Sequence, residues 1–267
     1  MSLQDAFDPP PPPTPPTGHG LLVDKVVIVT AAAGTGIGSA TARRCLEEGA
    51  AVVVSDAHAR RLAETAEQLE AETGGVVRAV PCDVTDERQV QALYAAAVDH
   101  FGHFDVAVHN AGLGGTVPLV EMTDEQWFRV LDITLTGTFR CTRAALTHLL
   151  AQGSGVIVNN ASVLGWRAQP GQAHYAAAKA GVMALTRCAA AEAAPRGVRV
   201  NAVSPSLAEH PFLNRAIPDE DLAILRRREL FGRGAETWEV ANVIVFLASD
   251  YSSYMSGEVV SVSSQHP

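Results

Sequence analysis

Lysine is almost missing from this chain: of its 20 lysine and arginine residues only Lys25 and Lys179 are lysine. A surface built on arginine makes each lysine a position to explain, since an ammonium is a compact point charge that tunes a neighbour's acidity. Cysteine is scarce as well. Cys45, Cys82, Cys141 and Cys188 lie far apart with no Cys-x-x-Cys pair. That excludes a disulfide frame and a cysteine zinc site, and suggests buried free thiols in a reducing compartment. No uninterrupted apolar stretch approaches the roughly 18 residues of a membrane span. The N-terminus also lacks the basic-then-apolar pattern of a secretory signal. A soluble, cytoplasmic protein is expected. Positive charge is in deficit, with a net charge of −9 and a pI near 5.4. This argues against a nucleic-acid partner and against an anionic membrane surface.

With 267 residues and 47% hydrophobic composition the chain can bury one sizeable core. Residues 1–20 carry Pro9 to Pro13, Pro15 and Pro16, a run that favours solvated polyproline II and cannot pack a core. They are expected to be a disordered tail before a single domain over 21–267. From Lys25 onward strands alternate with helices. Strands are expected at 26–30, 51–55, 76–81, 105–109, 156–161, 198–203 and 258–262, several of them continuous β-branched runs of the kind a doubly covered strand requires. Helices are expected at 39–46, 60–72, 86–101, about 124–151, from 172 onward, and at 237–248. The segment 204–233 reads as irregular, polar and arginine-rich. There is no internal repeat. Such alternation predicts an α/β fold, a doubly wound, Rossmann-like parallel sheet of seven strands with helices on both faces.

The first strand runs into the glycine-rich turn Ala31-Ala-Ala-Gly34-Thr-Gly36-Ile-Gly38 and then into a helix, the context in which backbone approaches a pyrophosphate at a helix N-terminus. Asp56 ends the second strand about twenty residues later, where a carboxylate holds the ribose hydroxyls of NAD and repels a 2′-phosphate. Arg60 and Arg61 are near enough to reach, so NADP remains the less favoured alternative. Asp83 either accepts from an adenine amino group or caps the third helix. Asn110-Ala111-Gly112 ends the fourth strand, where small residues let backbone press on a cofactor. Tyr175 and Lys179 stand four apart on one helix, so phenol and ammonium share a face and the cation favours phenolate. Ser162, at the end of the fifth strand, faces the same crevice.

Together the glycine turn, Asn110-Ala-Gly, Ser162, Tyr175-x-x-x-Lys179 and Asn201-Ala-Val-Ser-Pro205 resemble the short-chain dehydrogenase/reductase family over about residues 20–267. The resemblance implies hydride transfer between a nicotinamide and an alcohol/ketone pair. Tyr175 would be the general acid/base, and Ser162 would hydrogen-bond the substrate oxygen. Lys179 would bind the nicotinamide ribose and lower the tyrosine pKa. It also implies cofactor contacts at Thr30, Gly34, Gly36, Ile37, Gly38, Asp56, Asp83, Val84, Asn110, Ala111, Gly112, Pro205 and Leu207, and a homotetramer; Trp166 and Arg167, clustered just past Ser162, and His174 are candidates for substrate contact. Several positions depart from the family pattern. The glycine turn is one residue longer. Thr134 stands where a helix asparagine usually completes a proton relay. Pro205-Ser-Leu-Ala-Glu-His210 lacks the usual threonine, and the chain ends in Ser-Gln-His-Pro.

These departures resemble an actinobacterial subgroup that includes an enzyme of steroid-ring degradation, so the expected substrate is a bicyclic, steroid-derived CoA thioester. Arg215 and Arg226 to Arg228 are candidates for its polyanionic part and Trp166 for its rings; the equal alternative is a solvated helix face over 226–228 and a core tryptophan. The alternatives are a 3-oxoacyl reductase using NADPH and a catalytically silent nucleotide-binding scaffold.

Overall fold

The computed structural model describes residues 9–211, 213 and 218–265. Its core begins with β1 (Val26–Thr30), α1 (Ile37–Glu47), β2 (Ala51–Ser55), α2 (Ala59–Thr73), β3 (Val77–Ala79), α3 (Glu87–Phe101) and β4 (Val106–His109). It continues with α4 (Asp124–Leu131), α5 (Gly137–Gln152), β5 (Gly155–Asn160), α6 (Ala173–Ala193) and β6 (Val198–Pro205). After β6 come the two-residue strand β7 (Ala208–Glu209), α7 (Asp219–Arg226), β8 (Ala235–Glu236), α8 (Thr237–Ala248) and β9 (Val259–Val262). Seven strands form one parallel sheet in the order β3-β2-β1-β4-β5-β6-β9. The doubly wound fold expected from the sequence is therefore present.

Alternation along the strands divides the core. Val27, Val29, Val52 and Val54 pack with α1, α2 and α8 on one face; Val26, Ile28 and Val53 pack with α3, α5 and α6 on the other. Both faces are covered, so β1 is apolar from Val26 to Val29, with the buried Thr30 closing the strand at its crevice end, and each fully buried valine or isoleucine contributes about 1.5–3 kcal/mol. Local chemistry ends the helices. Asp86 caps α3 by accepting from Arg88 N at 2.8 Å, and Gly102, in the left-handed region at φ 80°, stops it.

Three segments differ from expectation. The helix predicted over 124–151 is interrupted at Asp132–Thr136 by one π turn, in which Gly137 N bonds to Asp132 O. The segment 204–233 is not wholly irregular. Pro218 and the acidic first turn Asp219-Glu-Asp221 open α7, and β7 pairs with β8. The proline-rich tail is fastened from Pro16 onward: Arg44 donates to Pro16 O and Thr17 O, while buried Glu48 accepts from His19 N and Leu21 N. A boundary at residue 20 would cut through this clasp.

Candidate active site

The sheet order reverses between β1 and β4, and the crevice beyond their carboxyl ends is where an open α/β sheet takes a ligand. The glycine turn after β1 lines it. A Cβ on Gly38 would lie 2.2 Å from Ala31 O and 2.7 Å from Asn110 Nδ2, so only glycine lets α1 start so close to the strand end. Gly34 and Gly36 instead face open space, with no atom within 4 Å of a Cβ built there. That is the room a pyrophosphate needs against bare backbone. The extra residue in this turn is pinned: Gly34 N donates to Thr65 Oγ1 (2.9 Å) and Ala33 N to Asp56 Oδ2 (3.3 Å). Ala31 sits in the left-handed region at φ 50°. Asp56 also accepts from His58 N at 2.9 Å. Burial raises its pKa, and hydrogen bonds from the turn together with the Arg61 charge oppose that rise.

A run of hydrogen bonds then crosses the sheet. Buried Thr30 Oγ1 accepts from Asn110 N (3.0 Å) and Ala111 N (3.3 Å). The Asn110 side chain donates to Ala31 O at 3.2 Å and accepts from Asn160 Nδ2 at 2.7 Å. Asn160 O in turn receives Lys179 Nζ. Asn160 was not among the residues singled out by sequence; the polar pair Asn159-Asn160 closing an apolar strand was the available signal. Lys179 is buried, 3% exposed, and burial drives its pKa down from 10.5 to about 7. Its ammonium has three donors and one oxygen partner, and it stands 5.5 Å from the Tyr175 ring centroid. Two donors are therefore left for hydroxyls of a bound ribose, and Asn160 Oδ1 is also buried without a partner. These groups fit a dinucleotide.

Tyr175, Lys179 and Ser162 converge as the sequence implied, with one adjustment. Burial pushes the Tyr175 phenol up to about 12, opposed by a hydrogen bond with Ser162, so without a bound cofactor the cation does not make it a phenolate. Ser162, on an extended backbone after β5, also accepts from Leu164 N at 3.2 Å. The loop after β4 roofs the site. A Cβ on Gly112 would lie 3.5 Å from Lys179 Nζ and one on Gly114 would lie 3.9 Å from Tyr175 Cδ2. Thr134, inside the π turn, holds this loop by accepting from Leu113 N (2.9 Å) and donating to Leu113 O (3.1 Å). Its hydroxyl is thus committed to the loop.

The remaining candidates take varied places. Asp83 Oδ1 accepts from Thr85 N and Oγ1 in a local turn, and Val84 is buried against α5 at Gly137. Ile37 packs half-buried on the core at the start of α1, and Pro205 ends β6 in a buried position. Leu207 O accepts from Ala235 N. His174 is 2% exposed, with Nδ1 accepting from Tyr175 N and the ring beneath Gly115. Trp166 is half exposed, and Arg167 bonds to Gln265. Arg226 does not stand free for a substrate anion, because it is clasped by Glu209 through two hydrogen bonds; Arg227 and Arg228 are exposed. Arg215 lies outside the described residues. Asn201, part of the motif that carried the family resemblance, holds the entry to β9 by bonding Met255 O and Glu258 N. Among the described residues no cluster could hold a metal ion, and no helix is long and apolar enough to cross a membrane.

Fold, open glycine turn and the Ser162–Tyr175–Lys179 group define a nucleotide-dependent oxidoreductase, and the comparisons agree. Residues 31–264 match a family described as enoyl-(acyl carrier protein) reductase. The chain belongs to the short-chain dehydrogenase/reductase family and is an NAD(P)-dependent oxidoreductase acting on CH–OH groups. It is 64% identical over 251 residues, 94% of this chain and 96% of the relative, to the (5R,7aS)-5-hydroxy-7a-methyl-1-oxo-2,3,5,6,7,7a-hexahydro-1H-indene-carboxyl-CoA reductase of Mycobacterium tuberculosis. It is 44% identical, over 90% of this chain and 95% of the relative, to the cis-4-hydroxycyclohexanecarboxylate dehydrogenase of Sinomonas cyclohexanicum. A short chain dehydrogenase from Mycobacterium smegmatis superposes with a TM-score of 0.85 at 61% identity, covering 96% of this chain and 98% of that one.

Proposed function

We propose that this enzyme transfers a hydride between NAD and a secondary alcohol/ketone on a bicyclic, steroid-derived CoA thioester. The observation that carries the chemistry is the convergence of Ser162, Tyr175 and Lys179 at the end of the Thr30–Asn110–Asn160 hydrogen-bond run. The ring system follows the 64% identical relative and the 44% identical one that acts on a cyclohexane acid.

In this reading the pyrophosphate lies on Gly34, Gly36, Ile37 and Gly38, and Asp56 takes the adenosine ribose hydroxyls. Lys179 takes the other ribose with its two spare donors. Thr30, Asp83, Val84, Asn110, Ala111, Gly112, Pro205 and Leu207 frame the rest. Bound there, the nicotinamide supplies the hydride. Ser162 bonds the substrate oxygen and fixes it against the Tyr175 hydroxyl, which gives that oxygen its proton in reduction. A phenol pushed up to about 12 is fully protonated at neutral pH, the form reduction requires. Arg167 and Trp166 border the substrate side, the indole offering a broad apolar face to a fused ring. Asp56 favours NAD, its charge repelling a 2′-phosphate.

The working assembly in this proposal is a homotetramer in the cytoplasm. Phe128 and Phe139, 62% and 40% exposed along α4 and α5, are apolar groups that a partner subunit would cover. The rival and less supported reading, an NADPH-linked acyl reductase, rests on the 39% identity to a 3-oxoacyl-(acyl-carrier-protein) reductase of Thermotoga maritima. The deciding experiment measures turnover of the hydroxy-oxo-hexahydroindene-carboxyl-CoA ester against acetoacetyl-CoA with each nicotinamide. Higher kcat/KM on the bicyclic ester with NAD(H) is expected. Preference for acetoacetyl-CoA with NADPH would transfer the enzyme to the rival class.

A further inference from the structure

Five residues beyond Ser162, the Arg167 side chain meets the C-terminal end of the described chain: its Nη1 donates to Gln265 Oε1. The other end of that amide, Gln265 Nε2, donates to Glu229 Oε1 at 2.7 Å. Glu229 is 2% exposed, and its carboxylate collects three more donors: Ser206 Oγ (3.0 Å), Leu207 N (3.3 Å) and Ser264 Oγ (2.9 Å). One buried acid thereby joins the loop after β6 to the residues after β9. Through Gln265 it also reaches the loop after β5 that begins at Ser162.

The partners of the other arginines in the segment around α7 make this arrangement specific. Arg226 is paired with Glu209, and Arg233 forks onto Glu239 with bonds of 2.7 and 2.9 Å. Their charges are cancelled by carboxylates. Arg227 and Arg228 are exposed and form no side-chain hydrogen bond or ion pair among the described residues, so nothing orients them. Arg167 combines the two properties the others lack together. A neutral amide oxygen holds its guanidinium in place, and no ion pair neutralises it among the described residues. A glutamine is the side chain that does both at once, since it accepts from the arginine with one end and anchors itself to an acid with the other.

We infer that Gln265, anchored by Glu229, is a positioning residue that presents the guanidinium of Arg167, which no carboxylate pairs with directly among the described residues, to the anionic part of a CoA thioester. This rests on the CoA-ester reading above. A protein of net charge −9 repels such a polyanion unless positive charge is held at the mouth of the site. An oriented guanidinium recognises phosphate oxygens by geometry as well as by charge. The substrate preference of the enzyme is in this way written partly at Glu229 and Gln265, far along the chain from Ser162.

The test compares two substrates of identical ring structure, the hexahydroindene-carboxyl-CoA ester and its neutral N-acetylcysteamine thioester, with cofactor saturating. In the wild type the ratio of kcat/KM, CoA ester over neutral thioester, should exceed about tenfold and shrink as salt rises. Arg167→Ala and Gln265→Ala should each lower that ratio about tenfold through KM of the CoA ester. Arg167→Lys, which keeps the charge, should restore part of it. Gln265→Met, of similar length without the amide, serves if the alanine variant unfolds. A wild type that treats both thioesters alike would retire the CoA reading and this inference with it. A wild type that discriminates, with variants that keep the full ratio or lose kcat equally on both thioesters, would overturn the inference alone.

Discussion

Thr134 and Leu113 exchange two hydrogen bonds: the threonine hydroxyl accepts from the leucine amide at 2.9 Å and donates to its carbonyl at 3.1 Å. A side chain at the centre of a π turn thus fastens the loop that roofs Lys179 and Tyr175. Thr134→Val preserves shape and removes both bonds, leaving a backbone amide and carbonyl without partners, a defect worth about 1–3 kcal/mol. The expected outcome is faster amide exchange at residues 111–115 and a drop in kcat, with Thr134→Ser close to wild type. Unchanged exchange in the valine variant would deny the fastening.

Tyr175→Phe should lower turnover by about 10²–10⁴-fold while the nicotinamide cofactor still binds, because only the exchangeable proton is lost. Binding is read by titration calorimetry and turnover by nicotinamide absorbance. Lys179→Arg should fail too, since a planar guanidinium does not fit a buried pocket shaped for a point charge.

The phenol and the ammonium give opposite pH signatures. Without cofactor, the wild-type minus Tyr175→Phe difference spectrum should show no phenolate below about pH 10, as the phenol is pushed up to about 12. With cofactor, alcohol oxidation should rise with pH, because the phenol must first lose its proton. Lys179 is depressed from 10.5 to about 7, so between those values the unfolded chain binds more protons than the folded one and folding gains stability as pH rises. Lys179→Met abolishes that slope. Its Tm relative to wild type should therefore decline from pH 7 to pH 10.5, and a constant difference would contradict the buried ammonium.

Asp56→Ala should weaken NAD binding and relax discrimination against NADP, measured as the ratio of the two kcat/KM values. The same change frees Ala33 N, so the glycine turn should exchange its amides faster.

Ala31 occupies a backbone conformation, φ 50°, that costs an alanine but not a glycine. Ala31→Gly should raise stability by roughly 0.5–1 kcal/mol, read by chemical denaturation.

The central strands were readable in advance because a doubly covered parallel strand tolerates only apolar, mostly β-branched residues, and Val26-Val-Ile-Val is such a run. Tyr175 and Lys179 were readable because helical spacing alone sets them on one face. The π turn at Asp132–Thr136 was not, since no local pattern marks it and its central Thr134 bonds to a loop twenty-one residues away. The α7 helix had a signal, Pro218 followed by three acids, that the surrounding polar residues obscured. Arg226 looked like an anion site because its partner, Glu209, precedes it by seventeen residues. Glu229 stood out in no pattern at all: its four donors come from positions 206, 207, 264 and 265.

That last arrangement bears on how the protein is made. Chains fold from the N-terminus as they leave the ribosome, and the glycine turn, Asp56 and the β4 end are all translated before residue 113. The partners of Glu229 at positions 264 and 265 are synthesised well after that crevice. A chain clipped after Ser263 would retain all seven sheet strands and the nucleotide crevice while losing the hold on Arg167. Cofactor affinity would report such a preparation as intact, and only assay on a charged thioester would expose the damage.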